Sequence, residues 1–219
     1  SAPRRTDMNI EKKEKPLQAL WEECGQCQKC ADLCSPEGRE RQNVVFGDGN
    51  PDAKLIIIGE APDEHDETQG VPFVGNVASI FEDHLAAVGA TRDEVFVAHA
   101  VMCRPTLKST PQKNRKPTKE EVGNCLVYLH RLIEIVDPYV ILALGDTALN
   151  TLVPDNRSKI LATTRKADIT GAERFTAVTD GLMTKVERAC VASLHPAFFL
   201  RDENYKEEEG SDLHKSLLS

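Results

Sequence analysis

Short, largely apolar runs recur along the chain, and three of the four are followed directly by a glycine or a histidine. They occupy residues 55–58, 95–101, 139–144 and 191–194. Apolar runs of this length without alternation are typical of strands buried on both faces, as in a parallel sheet. Between them, residues 77–88 and 122–136 have the apolar spacing of amphipathic helices. This alternation predicts an α/β fold, a three-layer α/β/α sandwich with a central, mostly parallel sheet.

The helix boundaries support this pattern. Asn76 can cap the first helix, and Thr118 and Glu121 have the capping-box spacing at the start of the second. A length of 219 residues is typical of one domain, so we expect a single domain over residues 1–219. Residues 1–16, charged and interrupted by proline, indicate a loose N-terminal arm, and residues 153–188 indicate an irregular segment or a hairpin.

The connection after the first buried run is long and acidic. Residues 59–75, GEAPDEHDETQGVPFVG, contain five carboxylates, one histidine and Phe73. The acidic residues are Glu60, Asp63, Glu64, Asp66 and Glu67. In open α/β sheets, ligands bind in the crevice at the carboxyl ends of the strands, which is where this connection begins. We therefore expect the functional site at this loop.

Seven cysteines are many for such a chain, and Cys24, Cys27, Cys30 and Cys34 lie close together. In a reducing compartment this clustering indicates a metal site rather than disulfides. Cys24 with Cys27 and Cys27 with Cys30 both have the Cys-x-x-Cys spacing, which suits zinc as well as an iron–sulfur cluster. Cys190, beside an apolar run, is most simply a buried apolar side chain.

The charge of the chain is unevenly distributed. A formal net charge of −8 argues against a protein that coats nucleic acid without specificity, but residues 104–119 are basic and contain no acidic side chain. This connection is predicted to be a phosphate clamp, a specificity element or a solvated linker. No apolar run could span a bilayer and no signal-peptide pattern opens the chain, so we expect a cytoplasmic monomer without a membrane segment.

Three motifs follow one another along the chain: GEAPDEHDETQGVPFVG, then Cys103-Arg104-Pro105, then His195-Pro196-Ala197. In this order and spacing, the chain resembles the iron–sulfur, family 4-like branch of the uracil-DNA glycosylase superfamily. The resemblance runs from about Cys27 to about Arg201. It implies a monofunctional DNA glycosylase that hydrolyses the N-glycosidic bond of a flipped uracil or modified pyrimidine in single- or double-stranded DNA.

The resemblance also implies a 4Fe-4S cluster. Its four ligands would be Cys27, Cys30, Cys103 and Cys125. In the family, the first pair of ligands lies just before a Val-Val-Phe-Gly strand, which favours Cys30 over Cys24 as the partner of Cys27.

The same resemblance implies roles for individual side chains. Glu60 and Asp66 match positions that act on the water and the sugar, and Asp63, where the family has glycine, adds a competing carboxylate. The other polar residues of the loop, Glu64, His65 and Glu67, are interpreted as solvated. The residues implied to contact the base are Ala61, Phe73, His99 and His195, the last as a hydrogen-bond donor. The resemblance makes Leu200 and Arg201 candidates for filling the stack that the flipped base leaves, and the basic connection adds Arg104, Lys113 and Arg115 as candidate DNA contacts.

The main departure from the family is His99, four residues before Cys103, where the family usually carries asparagine. An imidazole offers different hydrogen-bonding geometry from an amide, so uracil specificity is in question. Hydroxymethylated or glucosylated phage pyrimidines are a second candidate substrate, with a role in antiviral defence. Two further hypotheses are a protein that captures uracil or abasic DNA without turnover, and a metalloprotein that shares only the fold.

Overall fold

The computed structural model describes residues 10–34, 43–153, 173–176 and 187–193. Within these ranges, the main sheet has six strands in the order β1-β3-β2-β6-β8-β7. A separate hairpin consists of β4 and β5. The bounds are β1 Asp48–Gly49, β2 Leu55–Gly59, β3 Phe96–His99, β4 Thr106–Leu107, β5 Thr110–Asn114, β6 Val140–Leu144, β7 Glu173–Thr176 and β8 Glu187–Ser193.

The inner strands β3, β2, β6 and β8 are parallel, and the edge strands β1 and β7 run antiparallel to their neighbours. Helices flank this sheet, with α1 packed on α5 and α6 packed on β6. The helices are α1 Ile10–Gly25, α2 Ala31–Cys34, α3 Glu64–Gln69, α4 Ala78–Ala87, α5 Lys119–Val136 and α6 Asp146–Leu152. The predicted α/β sandwich with a mostly parallel sheet is therefore confirmed. None of the helices in the described ranges is long and apolar enough to cross a membrane.

The β2 strand lies at the centre of the sheet because its side chains are apolar on both faces. Ile56, Ile57 and Ile58 are completely buried between β3 and β6. In the parallel register, Gly59 is the partner of His99. The residues that follow β2, β3 and β6 consequently emerge at the same edge of the sheet, where the sequence predicts the site.

The N-terminal segment differs from its prediction as a loose arm, because α1 begins at Ile10. Lys13 anchors this helix. Its buried ammonium group donates hydrogen bonds to Asp52 Oδ1 at 2.6 Å and to the carbonyl oxygen of Val136 at 2.8 Å. A charged sequence can therefore form a packed helix when one lysine has partners in the interior.

The helix starts were predicted with mixed success. The capping box of Thr118 and Glu121 is confirmed, since each side chain bonds the other residue's backbone N–H. The first predicted helix, α4, begins one position later than expected, with Val77 rather than Asn76 at its N-cap. Several short elements were not anticipated, and two of them lie near the predicted site. These two are α3 within the acidic loop and the β4–β5 hairpin within the basic connection.

Candidate active site

Glu60 is the first residue after β2, at the carboxyl edge of the sheet. Its Oε2 accepts a hydrogen bond from the Thr147 hydroxyl, and its carbonyl oxygen accepts one from Val101 N at 3.1 Å. The side chain is half-buried. A carboxylate held in this way is oriented by the neighbouring strand ends and retains access to solvent, so it can accept a proton from a bound water.

Phe73 lies in a stack of three aromatic rings. Its centroid is 5.1 Å from Phe81 and 4.9 Å from His99, with ring planes inclined by 28° and 19°. The side chain is 1% exposed, and its backbone has a φ of 57°, a left-handed conformation that costs energy for a side chain of this size. Arg92 holds this backbone by donating to the carbonyl oxygens of Pro72 and Phe73.

His99 is bonded to Asp66 in the interior. His99 Nε2 and Asp66 Oδ2 are 3.0 Å apart, and both side chains are buried. Asp66 Oδ1 also accepts a hydrogen bond from Val74 N at 3.0 Å. Burial alone would raise the pKa of Asp66, but the hydrogen bonds from the His99 ring and from the backbone N–H groups of Val74 and Phe73 lower it. Asp66 is therefore an ionised group that positions His99.

The other polar residues of the loop have structural contacts. Asp63 caps α3, with Oδ1 accepting from His65 N at 2.8 Å and from Asp66 N at 3.0 Å. The interpretation of Glu67 as solvated is wrong, because the side chain is buried and lies 3.6 Å from Arg104. Glu64 is exposed, as expected, and lies 3.5 Å from the same guanidinium.

The arginines of the basic connection hold the β4–β5 hairpin. Arg104 is 4% exposed and donates to Asn114 Oδ1 at 2.7 Å and to the Gln112 carbonyl oxygen at 2.9 Å. Arg115 donates to the Thr106 carbonyl oxygen at 2.9 Å and forms a two-pronged ion pair with Glu121. These contacts account for both guanidinium groups within the protein. Lys113, in contrast, is exposed on β5, where it can approach a phosphate.

The four cysteines that the resemblance singles out are neighbours in space. Cys103 and Cys125 share a buried cluster with Leu33 and Val101, and the residues packed against it include Cys30 and Ala61. Burial raises the pKa of Cys125 to about 12, with further increases from the nearby Cys103, Cys30 and Cys27. In the described part of the chain, no three Cys, His, Asp or Glu side chains are arranged as ligands of a single metal ion.

The remaining cysteines have other surroundings. Cys24 is buried in the main core, with its Sγ 3.3 Å from Met102 Sδ. Cys34 Sγ donates to the Cys27 carbonyl oxygen at 3.2 Å. Cys190 is buried in the main core on β8, as predicted. Cys30 packs against the cluster that contains Cys103 and Cys125, whereas Cys24 belongs to the main core.

Two residues of the site were missed in the sequence. Thr147 follows a buried strand and Gly145, at the same sheet edge as Glu60, so topology could have indicated it. Arg92 precedes β3 and reaches the loop from a distance in sequence that no local pattern reveals. Three predicted residues, His195, Leu200 and Arg201, lie outside the described residues, so their roles stay predictions.

Comparison with known proteins identifies the family. Residues 46–213 match the sequence profile of the uracil DNA glycosylase superfamily. A type-4 uracil-DNA glycosylase of Thermotoga maritima is 35% identical over 148 residues, which are 68% of this chain and 71% of the relative. Type-4 uracil-DNA glycosylases of Archaeoglobus fulgidus and Pyrobaculum aerophilum are each 32% identical over 200 residues, about nine tenths of either chain.

Proposed function

The chain belongs to the uracil DNA glycosylase superfamily, and we propose that it is a monofunctional DNA glycosylase that releases a flipped uracil or modified pyrimidine from DNA. The observation that carries the proposal is the Glu60 carboxylate, held by Thr147 at the sheet edge beside the Phe73 and His99 rings. The names of its type-4 relatives support uracil as a substrate.

In the proposed reaction, a water molecule adds to C1′ of the deoxyribose. The bond from C1′ to the base nitrogen breaks, and its electron pair leaves with the base. Glu60 accepts the proton of the water and places negative charge near the oxocarbenium-like sugar. His195, at a position that matches the family's His-Pro motif, donates a hydrogen bond to the base carbonyl as negative charge develops on it.

We further propose that Cys27, Cys30, Cys103 and Cys125 hold a 4Fe-4S cluster. The donor set suits it, because Cys103 and Cys125 lie in a buried apolar cluster, Cys30 packs against that cluster, and Cys27 is near enough to raise the pKa of Cys125. When bound, the cluster would supply a covalent link between the segment after α1, the segment after β3, and α5. In the metal-free protein, burial keeps the Cys125 thiol protonated, so cluster binding must displace protons.

The proposed function is tested by base release. We would incubate the purified protein with matched oligonucleotides that carry uracil, cytosine or 5-hydroxymethylcytosine, and measure abasic sites after alkali treatment under single-turnover conditions. Glu60→Gln should lower the rate by about 100-fold to 10,000-fold, the usual contribution of a general base. The matched control Glu64→Gln changes an exposed carboxylate of the same loop and should retain the rate.

Two competing functions have their own expected results. Release of a hypermodified phage pyrimidine without release of uracil would favour antiviral defence, which the histidine at position 99 makes a specific candidate. An SDS-stable adduct with uracil-containing DNA would instead indicate capture without turnover. The basic connection of residues 104–119 contains no histidine that could form such an adduct, so we favour turnover.

A further inference from the structure

The described residues leave one ring nitrogen of His99 without a hydrogen-bond partner. The side chain is 2% exposed, and its Nδ1 forms no hydrogen bond with the described residues. Buried polar atoms are rarely left unsatisfied, and the exceptions are often at sites where a ligand supplies the missing group. The unpaired nitrogen lies among residues of the proposed base site, next to Phe73 and the end of β2.

The partner of the other nitrogen determines what Nδ1 can do. Asp66 is ionised and can only accept hydrogen bonds, so the proton of His99 lies on Nε2, 3.0 Å from Asp66 Oδ2. In a neutral imidazole with this tautomer, Nδ1 carries a lone pair and accepts a hydrogen bond. An asparagine at the same position could both donate and accept, whereas His99 in this arrangement can only accept.

Glycine at position 59 keeps a side chain away from Nδ1. A Cβ atom at Gly59 would lie 2.6 Å from His99 Nδ1 and 2.7 Å from Phe73 Cζ. A base that donates to Nδ1 would lie close to the plane of the imidazole. That plane is inclined by 19° to the Phe73 ring, so such a base would also lie nearly parallel to Phe73.

We infer that Asp66 is a positioning residue that fixes His99 as a hydrogen-bond acceptor, and that the enzyme therefore accepts 4-amino pyrimidines, the cytosine class, as well as uracil. The inference rests on the proposed function. Uracil offers an N–H group at N3, and cytosine derivatives offer one at the 4-amino group. His99 Nδ1, as an acceptor, can pair with either class. An asparagine amide at this position would also donate to O4 of uracil and would therefore favour the 4-keto base.

The test compares both pyrimidine classes in one sequence context. We would measure kcat/KM of the wild type, His99→Asn, Asp66→Asn and the exposed control His65→Asn on uracil, cytosine and 5-hydroxymethylcytosine oligonucleotides. In the wild type, release of at least one cytosine-class base is expected. His99→Asn should lower the ratio of cytosine-class to uracil kcat/KM at least about tenfold, the effect of one hydrogen bond of about 1.4 kcal/mol. His65→Asn should leave the ratio unchanged.

A spectroscopic measurement tests the role of Asp66 without relying on turnover. Nitrogen-15 NMR of the His99 ring should show a protonated Nε2 and an unprotonated Nδ1 in the wild type, and Asp66→Asn should lose this fixed pattern. Because the wild-type spectrum needs no substitution, the inference can be tested even if Asp66→Asn does not fold.

The failures of the inference and of the proposed function are distinguishable. A proton on Nδ1 in the wild type, or release of uracil alone with a ratio that His99→Asn does not change, would overturn the inference and leave the proposed function standing. Absence of base release from every oligonucleotide would overturn the proposed function, and the inferred substrate class with it.

Discussion

Asn124 is hydrogen-bonded to Cys30: the side-chain Nδ2 of Asn124, on α5, lies 3.4 Å from Cys30 Sγ. The same amide group donates to the Lys29 carbonyl oxygen at 3.3 Å. These bonds attach the segment after α1 to the helix that carries Cys125. Hydrogen bonds to sulfur are among the contacts by which a protein tunes an iron–sulfur cluster. They favour Cys30, rather than Cys24, as a cluster ligand.

Substitution of the two cysteines should separate these two assignments. Cys30→Ala is expected to lower iron and sulfide content and the visible absorbance of the purified protein to near background. Cys24→Ala, the matched control, removes a buried side chain next to Met102 and should cost about 1 kcal/mol of unfolding free energy while retaining the cluster. Loss of iron from Cys24→Ala but not from Cys30→Ala would reverse the assignment, and zinc in place of iron would exclude the cluster.

Gly59→Ala should disturb the ring stack. The added Cβ would lie 2.6 Å from His99 Nδ1 and 2.7 Å from Phe73 Cζ, so the rings must shift. We expect a loss of about 1–3 kcal/mol in unfolding free energy, as for other overpacked sites, together with loss of base release. Chemical denaturation and the base-release assay measure these effects.

Gly123→Ala is the matched control for this substitution. A Cβ atom at Gly123 has nothing within 4 Å, and the residue lies inside α5. Alanine should therefore stabilise the helix by about 0.5–1 kcal/mol and leave base release unchanged. If the two variants had the same unfolding free energy and the same base release, close packing would not be the reason for a glycine at position 59.

The sequence predicted the fold and part of the site for identifiable reasons. Apolar runs such as residues 55–58 indicate buried parallel strands without knowledge of their neighbours, and the capping box at Thr118 is equally local. The pairing of Asp66 with His99 is not local, because it joins α3 to the end of β3, 33 positions apart in the sequence. Arg104 was expected to face DNA because basic residues usually face solvent. Instead, its guanidinium group is buried, and the buried Glu67 carboxylate is its partner inside the protein.

The basic connection should contain residues with separable effects on DNA binding and stability. Lys113 is exposed, so Lys113→Ala should weaken DNA binding. It should also make the slope of the logarithm of the binding constant against the logarithm of the salt concentration less steep, by about one unit per lost phosphate contact. Its unfolding free energy should change by less than about 0.5 kcal/mol. Binding titrations at several salt concentrations measure the slope, and an unchanged slope would place Lys113 outside the DNA interface.

Arg115→Ala should act mainly on stability. The substitution removes a two-pronged ion pair and leaves the largely buried Glu121 carboxylate without its guanidinium partner. We expect a loss of about 2–4 kcal/mol in unfolding free energy. Arg115→Lys should recover only part of this loss, because an ammonium group cannot form both bonds in the same geometry. Full stability of Arg115→Ala would show that the hairpin does not depend on this pair.

The link between Lys13 and Asp52 should make part of the stability depend on pH. The hydrogen bond from Lys13 holds the pKa of Asp52 below its ordinary value. A group whose pKa is lowered by folding stabilises the folded state above its unfolded pKa, near 4, and loses this contribution as the pH falls through its folded pKa. The difference in unfolding free energy between the wild type and Asp52→Asn should therefore be largest near neutral pH and shrink below about pH 4.

Lys13→Met should cost about 2 kcal/mol at neutral pH, since it also leaves the Val136 carbonyl oxygen without a donor. Lys54→Met removes an exposed lysine 3.3 Å from the same carboxylate and should cost less than about 1 kcal/mol. Equal costs for the two lysine variants would mean that the buried position of Lys13 adds nothing to the pair.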